Sequence, residues 1–303
     1  MTKKLIVHSL IQAQTFMNRH RQPKQLRMGE NRSTEAVLDA TRDLDRRSTA
    51  EILAAVHAED AKAISAVSEV LPQLEKVVDI LACTLGGGRR WFNVGAGTSG
   101  RMGALDCAEL PPTFGIEPSR VQAVVAGGAR ALSRAVEGAE DDVYEGPCEL
   151  RRRGLGVGDA VVAISASGHT PFVLSCLEEA YTAGARTIAI TCNPNSPLAE
   201  AAEIAIVTNT GAEVIAGSTR MKAGLAQKMV LHLLSTTVMV RLGYVRGNLM
   251  THLVPGSEKL RERAIRILES TTDLNSEQAA RLLDEHGGSV ADALASLERR
   301  IAG

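Results

Sequence analysis

The chain lacks most of the features that mark membrane, secreted or nucleic-acid-binding proteins. Aromatic residues make up only 3% of its 303 residues, and the five cysteines are scattered without a C-x-x-C pair. An odd, dispersed set of thiols favours a reducing cytoplasm over disulfides or a zinc site. No apolar run reaches the length of roughly eighteen residues that indicates a membrane span. The net charge of −1 gives no sign of a nucleic-acid or membrane partner.

The near-neutral charge conceals a basic N-terminal segment. Residues 1–27 carry six Lys or Arg and no acid, which leaves 28 basic and 35 acidic side chains in the remainder. The segment also lacks the continuous apolar core of a secretory signal. We therefore expect a disordered basic extension, or an over-long start ahead of Met28, rather than a targeting peptide.

Short apolar runs alternate with helical stretches through the middle of the chain. The runs are Trp91–Val94, Val121–Val125, Ala160–Ile164, Thr187–Thr191 and Ile204–Val207. Short strands separated by helices predict βαβ units and a five-stranded parallel sheet covered on both faces. In such sheets ligands bind outside the carboxyl ends of the strands.

Helical segments flank this predicted sheet. Ser48 and Glu51 fit a capping box ahead of apolar positions at helical spacing that continue to Leu85. The segment from Lys222 to about residue 242 is apolar nearly all round, which predicts a helix that is central or at a subunit interface. Residues 257–303 follow a Pro-Gly pair and are typical of three short helices.

The most informative motif is the glycine-rich loop after the first predicted strand, residues 95–101. Its Gly95-x-Gly97-x-x-Gly100 pattern satisfies the dinucleotide fingerprint, which also needs an acid at the end of strand two. That strand ends in Val-Ala-Gly-Gly and has no acid there. Backbone amides at a helix N-terminus, with the hydroxyls of Thr98 and Ser99, instead suit a terminal phosphate. A purely structural glycine turn is the alternative.

A second hydroxyl-rich loop follows the third predicted strand. Ser165, Ser167 and Thr170 lie where that strand meets its helix, so both loops are expected at one crevice. Each hydroxyl taken singly is also explained by a local turn. His169, in the same loop, is a candidate for substrate contact, with an exposed loop position as the alternative.

Arg220 and Lys222 stand where the long apolar helix begins. Cations at a helix N-terminus oppose the macrodipole, and a locally broken rule often marks a functional site. The pair therefore predicts an anionic ligand nearby, or compensation by the carboxylate of Glu213. Ion pairs with surface acids are the alternative.

Two glutamates are candidates for acid–base chemistry. Glu109 lies near the C-terminal end of the helix that starts around Ser99, where partial negative charge favours a protonated carboxyl group suited to general-acid catalysis. Glu140 stands in an acidic run, residues 137–142, which taken alone indicates a solvated face.

These motifs together resemble the N-acetylmuramic acid 6-phosphate etherase family of the sugar isomerase (SIS) superfamily. The resemblance rests on Gly95–Arg101, the Glu109-Leu-Pro-Pro-Thr113 loop, Val136–Asp141, Ser165–Pro171, Arg220–Gly224 and Gly247–Met250. It runs in order from about Gly29 to the C-terminus. It implies an α/β fold: a five-stranded parallel sheet sandwich, flavodoxin-like, with N-terminal helices and a small C-terminal helical bundle.

The resemblance also implies an activity. Such an enzyme is a lyase that cleaves the D-lactyl ether of its phosphorylated amino sugar without metal or cofactor, in amino-sugar catabolism and peptidoglycan recycling, as a cytoplasmic homodimer. The family's proton-donating glutamate falls on Glu109 and its second active-site glutamate on Glu140. The substrate-binding positions fall on Gly97, Thr98, Ser99, Ser165, Ser167, Gly168, Thr170, Glu213, Ser218, Arg220 and Lys222.

Three positions depart from the family pattern. Ala108 and Leu110 replace the usual Ser and Cys around Glu109, and His169 replaces the usual Arg of the second loop. None of the three removes a carboxylate, so we expect any effect to fall on substrate affinity.

Four segments follow from this interpretation: a disordered extension 1–27, a helical segment 28–88, a SIS domain 89–254 and a UBA-like bundle 257–303. Two other functions remain open. One is a SIS-type phosphosugar isomerase that uses Glu213 as its base. The other is a non-catalytic phosphosugar sensor resembling the glucokinase regulatory protein, whose longer chain carries two SIS domains.

Overall fold

A computed structural model describes residues 33–302 of the chain, so the extension predicted over residues 1–27 lies outside the described part. One parallel sheet, with strand order β2-β1-β3-β4-β5, forms the centre of the fold. Its strands are β1 Trp91–Gly95, β2 Val121–Val125, β3 Ala160–Ile164, β4 Arg186–Thr191 and β5 Ile204–Val207. The flavodoxin-like parallel sheet expected from the sequence is confirmed.

Helices fill the connections between strands and extend the chain at both ends. They are α1 Thr49–Glu69, α2 Leu71–Gly86, α3 Gly97–Phe114, α4 Arg130–Ser133, α5 Glu145–Arg152, α6 Pro171–Thr182, α7 Pro197–Ala201, α8 Lys222–Arg241, α9 Glu258–Thr271, α10 Ser276–Glu285 and α11 Val290–Ala302. Short 3-10 turns lie at Ser33–Glu35, Asp39–Thr41, Leu44–Arg46 and Ala139–Asp141. The predicted capping box of Ser48 and Glu51 is present at the start of α1.

The two faces of the sheet carry separate apolar cores because alternate side chains of a strand point to opposite faces. Val162 and Ile164 of β3 join α2, α3 and α8 on one face. Val161 and Ala163 join α5, α6 and α7 on the other. Every residue of β1 and β3 is buried, which explains why both strands are apolar in sequence apart from Asn93.

Helix α8 is the central helix of the first core. By length and composition alone it would be able to cross a membrane, but 56% of its most apolar window is buried inside the protein. It packs against α1, α2 and α3, and Val230, Leu234 and Val238 are fully buried. The composition is therefore that of a core helix, and of the two positions expected for it, central or at a subunit interface, the central one is observed.

The region around Pro111 and Pro112 differs from the loop suggested by the sequence. Helix α3 continues through both prolines and ends at Phe114. Proline lacks the N–H that would bond four residues back, so the helix gives up two hydrogen bonds here. Burial of Leu110 and Phe114, exposed by 3% and 7%, favours the helical path.

The C-terminal helices α9, α10 and α11 surround a small core of their own, which includes Leu268, Leu282 and Val290. Ser257 caps α9, and Asn275 forms a capping box with Gln278 at α10. The three predicted short helices are therefore present.

Candidate phosphosugar site

The first loop folds so tightly that only glycine fits at two of its positions. A Cβ atom on Gly100 would lie 2.6 Å from the carbonyl oxygen of Gly95, and one on Gly95 would lie 2.6 Å from the nitrogen of Gly100. Helix α3 starts at Gly97, and the preceding Ala96 offers no side-chain cap. The first amides of α3 therefore remain available to an anion.

The two hydroxyls of this loop differ in their surroundings. Ser99 is buried, and its Oγ donates a 3.0 Å hydrogen bond to Oε1 of Gln227 in α8. Thr98 is half-buried and lies next to Gly224, where a Cβ atom would approach its Cγ2 to 3.2 Å. Ser99 thus ties α3 to α8, and Thr98 is the hydroxyl left at the loop surface.

The second loop is organised around Ser165, which is 3% exposed. Its Oγ lies 2.8 Å from Thr170 Oγ1 and 3.3 Å from Ser167 Oγ, and accepts a bond from the amide of Gly168. His169 is half-buried, and its Nδ1 donates to the carbonyl oxygen of Ser167 at 2.7 Å. These hydrogen bonds within the loop are the local turn that was the alternative explanation for its hydroxyls. However, Thr170 does not cap the N-terminus of α6 with its side chain.

The sheet register brings the two loops to one edge. Strands β1 and β3 are neighbours, and Gly95 pairs with Ile164, so the loops leave adjacent strands at the same level. Helices α3 and α6 both begin there without a side-chain cap, whereas Ser48 and Asn275 cap α1 and α10. Two uncapped N-termini at the carboxyl ends of parallel strands favour a phosphate between them.

Glu213 is a buried cap for helix α8. It is 1% exposed, and its two carboxylate oxygens accept bonds from the amides of Ala223 at 2.9 Å and Lys222 at 3.3 Å. Burial raises the pKa of Glu213 above its usual value, although the amide donors and the Lys222 charge oppose this shift. The carboxylate compensation anticipated at this helix start is therefore present.

The two cations at the start of α8 have different environments. The Nζ of Lys222 is buried and bonds Oε2 of Glu59, in α1, at 2.5 Å, so its charge is neutralised inside the protein. Arg220 is exposed and forms no ion pair with the residues that the structure describes. Ser218, two residues before Arg220 in the chain, is half-buried. Arg220 is thus the cation that remains open to a ligand.

The structure separates the two candidate catalytic glutamates. Glu140 is exposed on the Ala139–Asp141 turn, which packs beside Gly127 after β2 and contacts α6. Glu109 lies on α3, twelve residues beyond Gly97, which at about 1.5 Å per residue is about 18 Å along the helix axis. Glu140 is therefore near the loops, and Glu109 is a helix length away from them.

Glu109 lines a separate cavity of about 370 Å³ between α3 and α8. Asp106, Lys228 and His232 share this cavity. Asp106 accepts a 2.9 Å bond from Ser235 Oγ, while its Oδ2 is buried without a partner among the described residues. Burial raises the pKa of Asp106, and Ser235, Lys228 and His232 oppose the shift.

Sequence reasoning missed Asp106 and Glu59. The sequence spacing could have indicated each of them. Asp106 precedes Glu109 by three residues, so both lie on one face of their helix. Glu59 precedes the buried Ala63 by four residues, so it lies on the apolar face of α1. An acid on the apolar face of a helix needs a buried partner. That partner, Lys222, is 163 residues away in the chain.

Comparison with known proteins agrees with this geometry. Residues 73–181 match the model of the glucokinase regulatory protein N-terminal SIS domain, and residues 152–242 match the SIS domain model. A phosphoheptose isomerase from Francisella tularensis superposes with a TM-score of 0.51 at 18% identity, covering 64% of this chain and 100% of that one. This likeness concerns the fold alone.

Curated relatives are closer in sequence. The N-acetylmuramic acid 6-phosphate etherase of Symbiobacterium thermophilum is 48% identical over 87% of this chain and 88% of its own length. The enzyme of the same name from Escherichia coli O81 is 46% identical over 82% and 84%. Identity at this level over nearly the whole of both chains means that the protein belongs to the N-acetylmuramic acid 6-phosphate etherase family.

Proposed function

We propose that this protein is a cytoplasmic lyase that cleaves the D-lactyl ether of N-acetylmuramic acid 6-phosphate, giving N-acetylglucosamine 6-phosphate and D-lactate. The observation that carries the proposal is near-full-length identity of 46–48% with enzymes of that name. Two helix N-termini without side-chain caps, beside hydroxyl loops, suit the phosphate, and the exposed Arg220 adds a cation.

Elimination followed by hydration uses the two glutamates. In the open-chain aldehyde, the carbonyl acidifies the proton on C2, and the Glu140 carboxylate removes it. The electron pair forms the C2–C3 double bond while the C3–oxygen bond breaks, and protonated Glu109 gives its proton to the departing lactyl oxygen. Water then adds at C3 and passes a proton to Glu109, while Glu140 returns the proton to C2. Each positioned acid or base contributes roughly 10²–10⁴ in rate.

The separation of Glu109 from the loops supports a site shared between two copies of the chain. C3 of a hexose 6-phosphate is only a few bonds of about 1.5 Å from the phosphate, far less than the distance along α3 to Glu109 of about 18 Å. We therefore propose a homodimer in which Glu109 of one chain serves the phosphate loops of the other. Leu105, 47% exposed beside Glu109, and Leu225, 39% exposed on α8, provide apolar surface for such a pairing.

Release of D-lactate from N-acetylmuramic acid 6-phosphate is the direct test. The etherase assignment predicts stoichiometric D-lactate and N-acetylglucosamine 6-phosphate. A phosphosugar isomerase would interconvert an aldose and a ketose without lactate, and a sensor would bind without turnover. Glu213, the base of the isomerase alternative, is occupied as the cap of α8.

Mixed dimers test the shared site. Glu109→Gln removes the acid, and Ser167→Asp places a charge that repels the phosphate in the second loop, so each variant alone is expected to be inactive. Mixing and reassembling the two yields dimers with one intact composite site, which restores about a quarter of wild-type activity for random two-fold pairing. If acid and phosphate loops of one chain form the site, mixing restores nothing.

A further inference from the structure

Residues 33–41, here named the N-terminal strap, lie across the carboxyl ends of the strands beside the phosphosugar site. Ser33 Oγ donates to Asn193 Oδ1 at 2.6 Å. The Nδ2 of Asn193 donates to Thr34 Oγ1 at 3.1 Å and to the carbonyl oxygen of Ser167 at 3.0 Å. Because Asn193 bonds the strap and the second hydroxyl loop together, the position of one fixes the position of the other.

The far end of the strap is fixed as well. Thr41 is 8% exposed, and its Oγ1 donates a 3.0 Å bond to the carbonyl oxygen of Val214. Thr34 is fully buried. The strap is thus held at both ends against the loops that follow β3, β4 and β5. These contacts also fix the position of Glu35, which lies between the two ends of the strap.

Glu35 stands beside the loop that leads into α8. Its Oε2 lies 3.2 Å from the point where a Cβ atom would stand on Gly217, whose φ of +74° also favours glycine. The side chain is exposed, and it bonds no donor among the described residues. Arg220, three residues after Gly217, likewise forms no ion pair within residues 33–302, so the site holds an acceptor and a cation that do not neutralise each other.

We propose that Glu35 is a substrate-recognition residue of this site, where its carboxylate accepts a hydrogen bond from a hydroxyl or the acetamido N–H of the bound phosphosugar. An ionised carboxylate only accepts hydrogen bonds, and it repels the phosphate and the lactyl carboxylate. Glu35 therefore binds the uncharged, donor-bearing part of the sugar and keeps both anionic ends directed elsewhere. This inference rests on the proposed phosphosugar function of the site.

The expected effect is on sugar binding and not on phosphate binding. A hydrogen bond to a charged group corresponds to roughly ten- to a hundred-fold in affinity. Glu35→Ala should raise the dissociation constant of N-acetylglucosamine 6-phosphate, measured by calorimetry, by that factor. Inorganic phosphate, which bonds the loops only and is repelled by Glu35, should bind the variant at least as tightly as the wild type. Glu35→Gln keeps a neutral acceptor and should recover part of the loss.

Asp39→Ala is the matched control, because Asp39 is an exposed carboxylate of the same strap whose Oδ1 bonds Arg42 at 2.7 Å. It should leave both dissociation constants unchanged. Unchanged binding of N-acetylglucosamine 6-phosphate by Glu35→Ala would overturn the inference, as would an equal loss of sugar phosphate and phosphate. Absence of lactate release by the wild type would overturn the etherase activity instead, and these binding measurements are independent of it.

Discussion

The buried ion pair between Glu59 and Lys222 gives the sharpest stability prediction. Lys222 is 1% exposed, and its Nζ bonds Glu59 Oε2 at 2.5 Å, while Lys62 bonds the other oxygen at 2.6 Å. Glu59→Met leaves the Lys222 ammonium buried without the carboxylate that it bonds. Removing one partner of a buried pair costs about 3–5 kcal/mol of unfolding free energy, and we expect a loss in that range.

The reciprocal substitution should cost less. Lys222→Met leaves a Glu59 side chain that is 11% exposed and still paired with Lys62, so we expect about 1–3 kcal/mol, as for a buried group that loses one bond. The double variant Glu59→Met, Lys222→Met removes both charges and leaves two apolar side chains of similar volume. It should be more stable than Glu59→Met alone, because the uncompensated ammonium is gone.

Urea unfolding of the four proteins measures these differences. Lys62→Met is the matched control: Lys62 is 56% exposed, and exposed pairs contribute about 0–1 kcal/mol. Losses that simply add in the double variant would refute the reasoning, since they would mean that the two charges do not interact in the folded protein.

The pH dependence of this pair has a definite sign. Burial raises the pKa of Glu59, but the hydrogen bonds from Lys222 and Lys62 outweigh it and hold that pKa below its usual value of 4.5. A carboxyl group with a lowered folded-state pKa stabilises the protein above its unfolded pKa and loses this contribution as pH falls. The difference between wild type and Glu59→Met should therefore shrink below about pH 4.5.

Two further predictions concern single residues. Gly168→Ala should destabilise the protein by about 1–3 kcal/mol more than Gly128→Ala in urea unfolding. The two glycines have similar φ values, +69° and +64°, but a Cβ atom on Gly168 would collide with Ser196, whereas one on Gly128 would meet open space. Equal losses of unfolding free energy would contradict the close approach at Gly168. Asp106→Asn should gain stability relative to wild type as pH rises above about 3.8, the usual pKa of the carboxyl group, because burial raises the pKa of Asp106. A raised carboxyl pKa makes the folded state less stable as pH rises. A pH-independent difference would contradict this sign.

The sheet was predictable because its signal is local. Runs of apolar, mostly β-branched residues between helices identify the strands of a parallel sheet, and β2, β3 and β5 begin and end at the predicted residues. The loops at the ends of β1 and β3 could also be read from the sequence, since their glycines and hydroxyls follow the strands directly. The path of α3 through Pro111 and Pro112 could not, because burial of Leu110 and Phe114 overrides a local preference.

The side-chain pairs that shape the site join distant parts of the chain. Lys222 meets Glu59 across 163 positions, Thr41 meets Val214 across 173, and Ser33 meets Asn193 across 160. Neither spacing nor composition encodes which of many acids or amides a given side chain meets. The sequence therefore indicates which residue types are available for the site, and the fold decides which of them are already occupied.

The start of helix α8 shows how that selection acts on function. The sequence there offers an acid, Glu213, and two cations, Arg220 and Lys222, near an unfavourable dipole end. The fold assigns Glu213 to the amides of α8 and Lys222 to Glu59. Arg220 is exposed and keeps its charge at the same helix end, where the dipole disfavours a cation by about 0.3–1 kcal/mol and a nearby anion would offset that cost. The phosphorylated sugar of the proposed function would supply such an anion, and under that proposal the cation at the helix start acts through one residue, Arg220, and not through the pair.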